Sequence, residues 1–258
     1  MVPPQAAPAP LPDAVEAELA KYKNTVDLLN QGAIDADKVF KPYRLVHGVY
    51  GQRQQGENQM VRIKLKYGMV TPNQMRVLAD CAEKFTNGIS HITTRQAIQY
   101  HYIKLNDTPQ LLRELEECGL TTREACGNAV RAVCGSPLAG TRADEPFAVE
   151  PYAEAVFQHF LRGPRSASLP RKFKIALAGS DRDPLQQINI QDVGAMAVVK
   201  DGKEGFRVVA AAGLGSSPQA PITIAECLPK DQLLEVCDAL VRVHHKYGDR
   251  ENRAKARL

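Results

Sequence analysis

From Gln59 to Tyr67 the chain alternates: Val61, Ile63, Leu65 and Tyr67 fall on one side, Arg62, Lys64 and Lys66 on the other. This is the two-residue period of a half-buried strand, with one apolar and one basic face. Thr71-Pro72 then opens a helix, because Thr caps free amides and Pro at the first helical position gives up an N–H that has no partner there. Met75, Leu78, Cys81, Ala82 and Phe85 form its apolar stripe and Gly88 its stop. Ile89 to Thr93 and Ala97 to Lys104 read as two strands. A second helix, opened by Asp107 or Thr108, runs through Leu111, Leu112 and Leu115 to Gly119. Strand, helix, two strands, helix is the order of a ferredoxin-like split βαβ unit.

Ahead of this unit, Met1 to Leu11 is a Pro/Ala lead, and Asp13 to Leu29 reads as a peripheral helix through Val15, Leu19, Tyr22 and Val26. Beyond Leu120 the composition shifts toward Gly, Ala, Cys and Arg. A helix is expected from Tyr152 to Leu161, strands over Lys172–Ala178, Gly194–Val199 and Phe206–Ala211, and a final helix from near Asp231 to Gly248. Asp201 to Gly205 would turn between the last two strands. The fold class is α+β: a ferredoxin-like split βαβ domain over residues 43–120 follows an extension with a short helix over 1–42, and a mixed α+β domain occupies 121–258.

Composition narrows the function classes. With 258 residues, 44% hydrophobic and 24% charged, the chain can bury a core without cross-links. Thirty-three basic against 29 acidic residues leave +4, which implies no nucleic-acid partner unless the positive groups share a face. No apolar stretch approaches the ~18 residues of a membrane span. Met1 to Pro10 lacks the basic and apolar regions of an export signal, so a cytoplasmic protein is expected. Cys81, Cys118, Cys126, Cys134, Cys227 and Cys237 are separated by 36, 7, 7, 92 and 9 residues, spacings that give no zinc half-site. Cys81 and Cys237 read as small buried hydrophobes, and no metal ligand is assigned.

Polar groups that could do chemistry gather in four segments. If Thr93 to His101 is extended, Arg95, Gln99 and His101 share a face around Ala97, while Gln96, Ile98, Tyr100 and Tyr102 take the other; a solvated strand face is the plainer alternative. In Leu169 to Ala176, Lys172 and Lys174 project together and Phe173 and Ile175 point to the core. Two adjacent ammonium groups repel, which is tolerable in water and useful where a multiply charged anion must be held. Arg131 is a guanidinium in the small, apolar run Cys126 to Cys134. Gly213-Leu214-Gly215-Ser216-Ser217-Pro218 would let a ligand approach the backbone but matches neither a Walker loop nor a dinucleotide fingerprint. His244-His245 reads as a surface pair.

In order along the chain these pieces resemble the sirohaem-dependent nitrite and sulfite reductases. The resemblance runs from about Tyr43 to Leu258. It rests on the basic strand Met60 to Lys64, the Thr-x-Arg-Gln-x-x-Gln-x-His run through Arg95, the Asn128 to Gly140 segment, Leu169-Pro-Arg-Lys-Phe-Lys174, the glycine turn at Gly213, and the tail Tyr247 to Arg257. It implies six-electron reduction of sulfite to sulfide or nitrite to ammonia at a sirohaem iron coupled to a 4Fe-4S cluster, with electrons from ferredoxin or a flavoprotein. Arg95, Arg131, Lys172 and Lys174 would be the substrate-facing cations. Arg62, Lys64, Gln99, His101, Gly213 and Gly215 would bind the cofactor. Sirohaem carries eight carboxylates and its substrate is an oxyanion, so fixed cations would offset both.

The family holds its cluster with Cys-x5-Cys and then Cys-x3-Cys in a second half that repeats the first. That pattern is not in this sequence. The resemblance therefore implies the N-terminal half of such a reductase, a fragment or one part of a split enzyme, inactive without its cluster-bearing C-terminal half. The turn reads Ala211-Ala212-Gly213 where the family often has more glycine. The alternative is a stand-alone tetrapyrrole- or anion-binding module without catalysis. A basic-faced RNA binder has no aromatic strand to support it. Overall likeness leans to sulfite.

Overall fold

Among the described residues, two four-stranded sheets organise the chain. A computed structural model describes residues 10–52, 58–215, 218–252 and 255–258. Most of the Pro/Ala lead, Ser216-Ser217 of the glycine turn and Arg253-Ala254 of the tail lie outside these. The chain divides into two compact units, one running to Leu65 and resuming over Met69–Cys126, the other comprising Lys66–Gly68 and Gly127–Leu258.

In the first unit the expected elements appear as β2 (Gln59–Ile63), α3 (Pro72–Phe85), β3 (Ser90–Ile92), β4 (Ile98–Ile103) and α4 (Thr108–Glu117). They are preceded by α1 (Asp13–Asn30), α2 (Lys41–Val46) and β1 (Val49–Gly51). Thr71 and Gln74 close a reciprocal capping box at the start of α3, which fixes where the helix begins. The sheet order is β1-β2-β4-β3, antiparallel throughout, so β1 fills the outer position that a strand after α4 would otherwise take.

Three expectations change here. The first helix is not peripheral: Val15, Leu19, Tyr22 and Val26 are all buried in the core of this unit, and the Tyr22 hydroxyl meets Thr108 Oγ1 at 3.1 Å. Met75, placed on the buried stripe of α3, is half exposed, while Leu78, Cys81 and Ala82 carry the contact. The alternation of β4 breaks at Tyr102, which has φ 62° at a register shift, so Tyr100 and Ile103 are buried and Tyr102 turns outward. A β-bulge places two residues opposite one and changes which side chain reaches the core.

The second unit contains α5 (Glu150–Phe160), β5 (Ile175–Ala178), β6 (Val193–Lys200), β7 (Lys203–Ala210), β8 (Ile222–Pro229) and α6 (Leu233–Tyr247). Its sheet runs β5-β6-β7-β8, with β5 parallel to β6 and the remaining pairs antiparallel. The β6–β7 turn is tighter than expected. Asp201 (φ 52°) and Gly202 (φ 72°) make a two-residue turn, because two left-handed residues match the strand twist, and Lys203 to Gly205 join β7. Strand β8 has no counterpart among the sequence expectations; its mostly exposed side chains give no apolar alternation to read. Phe173, Ile175, Leu177, Phe206, Val208, Leu233, Cys237 and Val241 are among the buried residues of this core.

Candidate functional site

In the second unit the strand-like segments 128–134 and 169–177 run side by side. Asn128 Nδ2 donates to the Pro170 carbonyl at 3.1 Å, the Phe173 amide to Ala129 at 3.0 Å, the Arg131 amide to Phe173 at 2.9 Å, and the Leu177 amide to Cys134 at 2.8 Å. Val130 pairs with Phe173 in parallel, and both are fully buried. Alternation then puts Arg131, Lys172 and Lys174 on the opposite face. The apolar residues of this run hold three cations in one patch.

The patch is electrostatically costly. Burial, then Arg131, Arg171, Lys174 and Arg257, push the Lys172 ammonium down to about 8. No carboxylate pairs with Lys172 among the described residues. The acid that immediately precedes β6 serves a different purpose. Asp192, 1% exposed, accepts the Lys174 amide through Oδ2 at 2.8 Å and Arg257 Nε through Oδ1 at 3.0 Å. Burial raises its pKa, and Arg257 opposes that rise.

Sequence reasoning did not single out Asp192 or Arg257 as individual residues, nor the place of His244. His244, read as half of a surface pair, is 1% exposed and donates through Nε2 to the Arg171 carbonyl at 3.1 Å. Burial lowers its pKa, which favours the neutral ring, and the carbonyl it faces requires the proton on Nε2. A helical spacing of Cys237, Val241 and His244 on α6 was the available signal.

Gly213 closes a turn by exchanging backbone hydrogen bonds with Gln219 at 3.1 and 3.2 Å. A Cβ at this position would lie 2.6 Å from Arg257 Nη2, so a larger residue here would have to move the neighbouring guanidinium. At Gly215 a Cβ would meet nothing within 4 Å.

The first unit carries Arg62, Lys64, Arg95, Gln99 and His101. Arg62 and Gln99 sit opposite each other in the β2–β4 register, and the Gln99 amide, oriented with its oxygen toward the guanidinium, accepts from Arg62 Nε at 2.8 Å. His101 Nε2 lies 3.0 Å from His91 Nδ1, and Gln52 Nε2 lies 3.2 Å from His101 Nδ1. Burial, His91 and Arg62 hold the His101 pKa below its usual range; the neutral ring accepts from Gln52 and donates to His91. Arg62, Gln99 and His101 thus form a polar row on one sheet face.

Arg95 does not belong to that row as an extended residue. The segment 94–96 is a turn, with Gln96 at φ 50° and the Thr93 amide bonded to Ala97, and β4 begins only at Ile98. The basic face of β2 is also smaller than the alternation implies, since Lys64 is buried against Glu124 at 3.3 Å.

The six cysteines are unbridged. Cys81, Cys126, Cys134 and Cys237 are buried, and burial pushes the Cys81 and Cys237 thiols up to about 12. Among the described residues no three His, Cys, Asp or Glu side chains gather as metal ligands. No described helix is long and apolar enough to cross a membrane.

Residues 126–258 match the family model described as nitrite and sulphite reductase 4Fe-4S domain, and residues 50–118 match the nitrite/sulfite reductase ferredoxin-like half domain. Similar proteins include a sulfite reductase [ferredoxin] of Mycolicibacterium paratuberculosis, 32% identical over 82% of this chain and 40% of its own length. A chloroplastic ferredoxin–nitrite reductase of Betula pendula is 32% identical over 87% of this chain and 40% of its own. Among solved structures, the NirA protein of Mycobacterium tuberculosis superposes with a TM-score of 0.80 at 29% identity, over 93% of this chain and 48% of that one. A dissimilatory sulfite reductase I shares the fold, with a TM-score of 0.65 at 11% identity over 96% of this chain and 84% of its own. The chain spans about two-fifths of the length of the curated relatives it matches.

Proposed function

Since this chain belongs to the nitrite and sulphite reductase family, we propose that it is the N-terminal, anion-receiving half of a sirohaem-dependent enzyme that reduces sulfite to sulfide or nitrite to ammonia. The observation that carries the proposal is Lys172: an ammonium crowded by Arg131, Arg171, Lys174 and Arg257, with no carboxylate paired to it among the described residues. Such a cluster is unfavourable until an anion arrives. The donor set fits a tetrapyrrole polycarboxylate and a small oxyanion.

Arg131 offers a planar, permanently charged fork for a carboxylate or oxyanion. Lys174 adds a point charge whose backbone is fixed by Asp192. Lys172, held near 8, can both bind an anion through Nζ and release a proton from it at neutral pH, which Arg cannot do. Each bond broken to oxygen needs protons to carry that oxygen away as water. Bound sirohaem would supply the iron chemistry of the reduction. In the first unit the sequence motif assigns Arg95 to substrate and Arg62, Gln99 and His101 to the pigment, with Lys64 supporting the strand from its pair with Glu124. Gly213 and Gly215 are assigned to the pigment on the same ground.

The cysteines of this chain do not fit a cluster, so the reading assigns the 4Fe-4S ligands to a separate C-terminal half and the electrons to ferredoxin or a flavoprotein. Both sulfite and nitrite remain substrates of the proposal, because the same cations suit either oxyanion. The test is reconstitution of the purified chain with sirohaem, alone and with a cluster-bearing half. Haem absorption in the chain, lost in Lys172→Met/Lys174→Met, and reduction of sulfite or nitrite only with the complement are expected. Absence of pigment binding in both conditions overturns the tetrapyrrole reading. Binding without reduction in the complemented sample leaves a binding module and overturns the enzyme.

A further inference from the structure

The tail of the chain carries a motif to which the proposed chemistry gives no task, and its last arginine has well-defined surroundings. Arg257 Nε donates to Asp192 Oδ1 at 3.0 Å, and Arg257 Nη2 points to the Ala212 carbonyl at 3.4 Å and lies 2.6 Å from where a Cβ of Gly213 would be. Asp192 in turn accepts the Lys174 amide at 2.8 Å, and its own carbonyl accepts the Ala211 amide at 3.0 Å. One ion pair therefore touches the backbones of both the lysine segment and the glycine turn. Ala256, next to Arg257, is 1% exposed, which anchors the arginine from its own strand of chain.

We propose that Arg257 and Asp192 are a positioning pair: the guanidinium keeps the buried Asp192 carboxylate ionised and oriented, and through it fixes the Lys174 backbone and the Ala212–Gly213 turn against each other. A buried carboxylate that must accept from two sides stays in register only while a cation pairs with it. A lysine at 257 would keep the charge but cannot reach Asp192 and Ala212 with a rigid fork. The assignment deepens the anion-site reading and rests on it for its functional meaning, whereas the clamp itself is a property of the folded chain.

Amide hydrogen exchange on the full chain without added pigment tests the clamp. In Arg257→Ala the Lys174 amide is expected to exchange at least about tenfold faster, the scale of one lost charge-assisted hydrogen bond, while the Val208 amide of β7 in the same sheet is unchanged. Free guanidinium ion at millimolar concentration should restore protection in Arg257→Ala and leave the wild type unaffected. Unchanged Lys174 exchange overturns the clamp. Loss of protection that spreads equally to Val208, with no rescue by guanidinium, also overturns it. Should the alanine variant fail to fold, Asp192→Asn decides the matter: it preserves shape and removes the charge, and Lys174 protection equal to wild type overturns the proposal. Sirohaem absorption is measured on the same proteins. A wild-type chain that binds no pigment sinks the anion-site reading and leaves the exchange result standing, so the two failures are separate.

Discussion

The Lys64 ammonium lies 3.3 Å from the Glu124 carboxylate, and both side chains are almost wholly removed from solvent. Neither charge is tolerable there without the other, because desolvating an isolated ion costs several kcal/mol. Glu124→Gln is expected to destabilise the chain by about 3–5 kcal/mol, and Lys64→Met/Glu124→Met to recover most of that loss. Urea denaturation of the four proteins in the cycle checks it. Equal losses in the single and double variants would show that the pair is not the stabilising unit.

Tyr22 bears on how far the first unit extends toward the N-terminus. Its ring is fully buried, stacked 6.1 Å from Tyr43, and its hydroxyl meets Thr108 Oγ1. Tyr22→Phe should cost about 1 kcal/mol, the net value of one buried hydrogen bond, and Tyr22→Ala about 3–5 kcal/mol through the cavity. Thermal melts of both variants distinguish a core helix from an attached one; a neutral Tyr22→Ala would return α1 to the periphery.

Much of this was legible in the sequence. The strand–helix–strand–strand–helix order of the first unit follows from Val61, Ile63, Leu78, Cys81, Leu111 and Leu115, whose periods match the faces they bury. What escaped is what periodicity cannot encode. The Tyr102 bulge depends on register with Gln59 and Val61, β1 is only three residues long, and β8 presents exposed side chains with no clear alternation. At the second unit's patch, Lys172 and Lys174 were readable from alternation alone. The burial of His244 was signalled by its helical spacing from Cys237 and Val241, but its partner was not, nor were the roles of Asp192 and Arg257, since each acts on a backbone group supplied by a segment distant in sequence.

Gly48 offers a sharper test of local geometry than the glycines of the candidate site. It has φ 76°, and a Cβ there would lie 2.3 Å from the Thr122 carbonyl and 2.9 Å from that of Arg62, both backbone atoms that cannot swing aside. Gly48→Ala should therefore cost roughly 2–4 kcal/mol from the combined strain and overlap. At Gly213 the obstructing atoms belong to the Arg257 side chain and not to backbone, so Gly213→Ala should cost less than Gly48→Ala, about 1–2 kcal/mol, through the strain it puts on the Arg257–Asp192 pair. Denaturation midpoints for the two variants, measured side by side, give the ranking, and a reversed order would contradict both placements.

The pH dependence of stability tests the crowding of Lys172 directly. Its folded pKa is about 8 against an ordinary 10.5. Below about 8 the ammonium is charged in both folded and unfolded chains, and the folded chain bears the full penalty of holding it among Arg131, Arg171, Lys174 and Arg257. Between about 8 and 10.5 the unfolded chain binds this proton and the folded chain largely does not, so the Lys172 contribution to stability rises with pH across that window. Above 10.5 both forms are neutral and the penalty is gone. Lys172→Met removes the group from the balance: the variant should be more stable than wild type at pH 7, and the difference should shrink steadily from pH 8 to 10.5. Urea midpoints of both proteins at half-unit steps of pH provide the difference curve, in which groups common to the two cancel. A flat difference across that window would mean that Lys172 titrates as an ordinary surface lysine, and the patch would then have no unmet need for an anion.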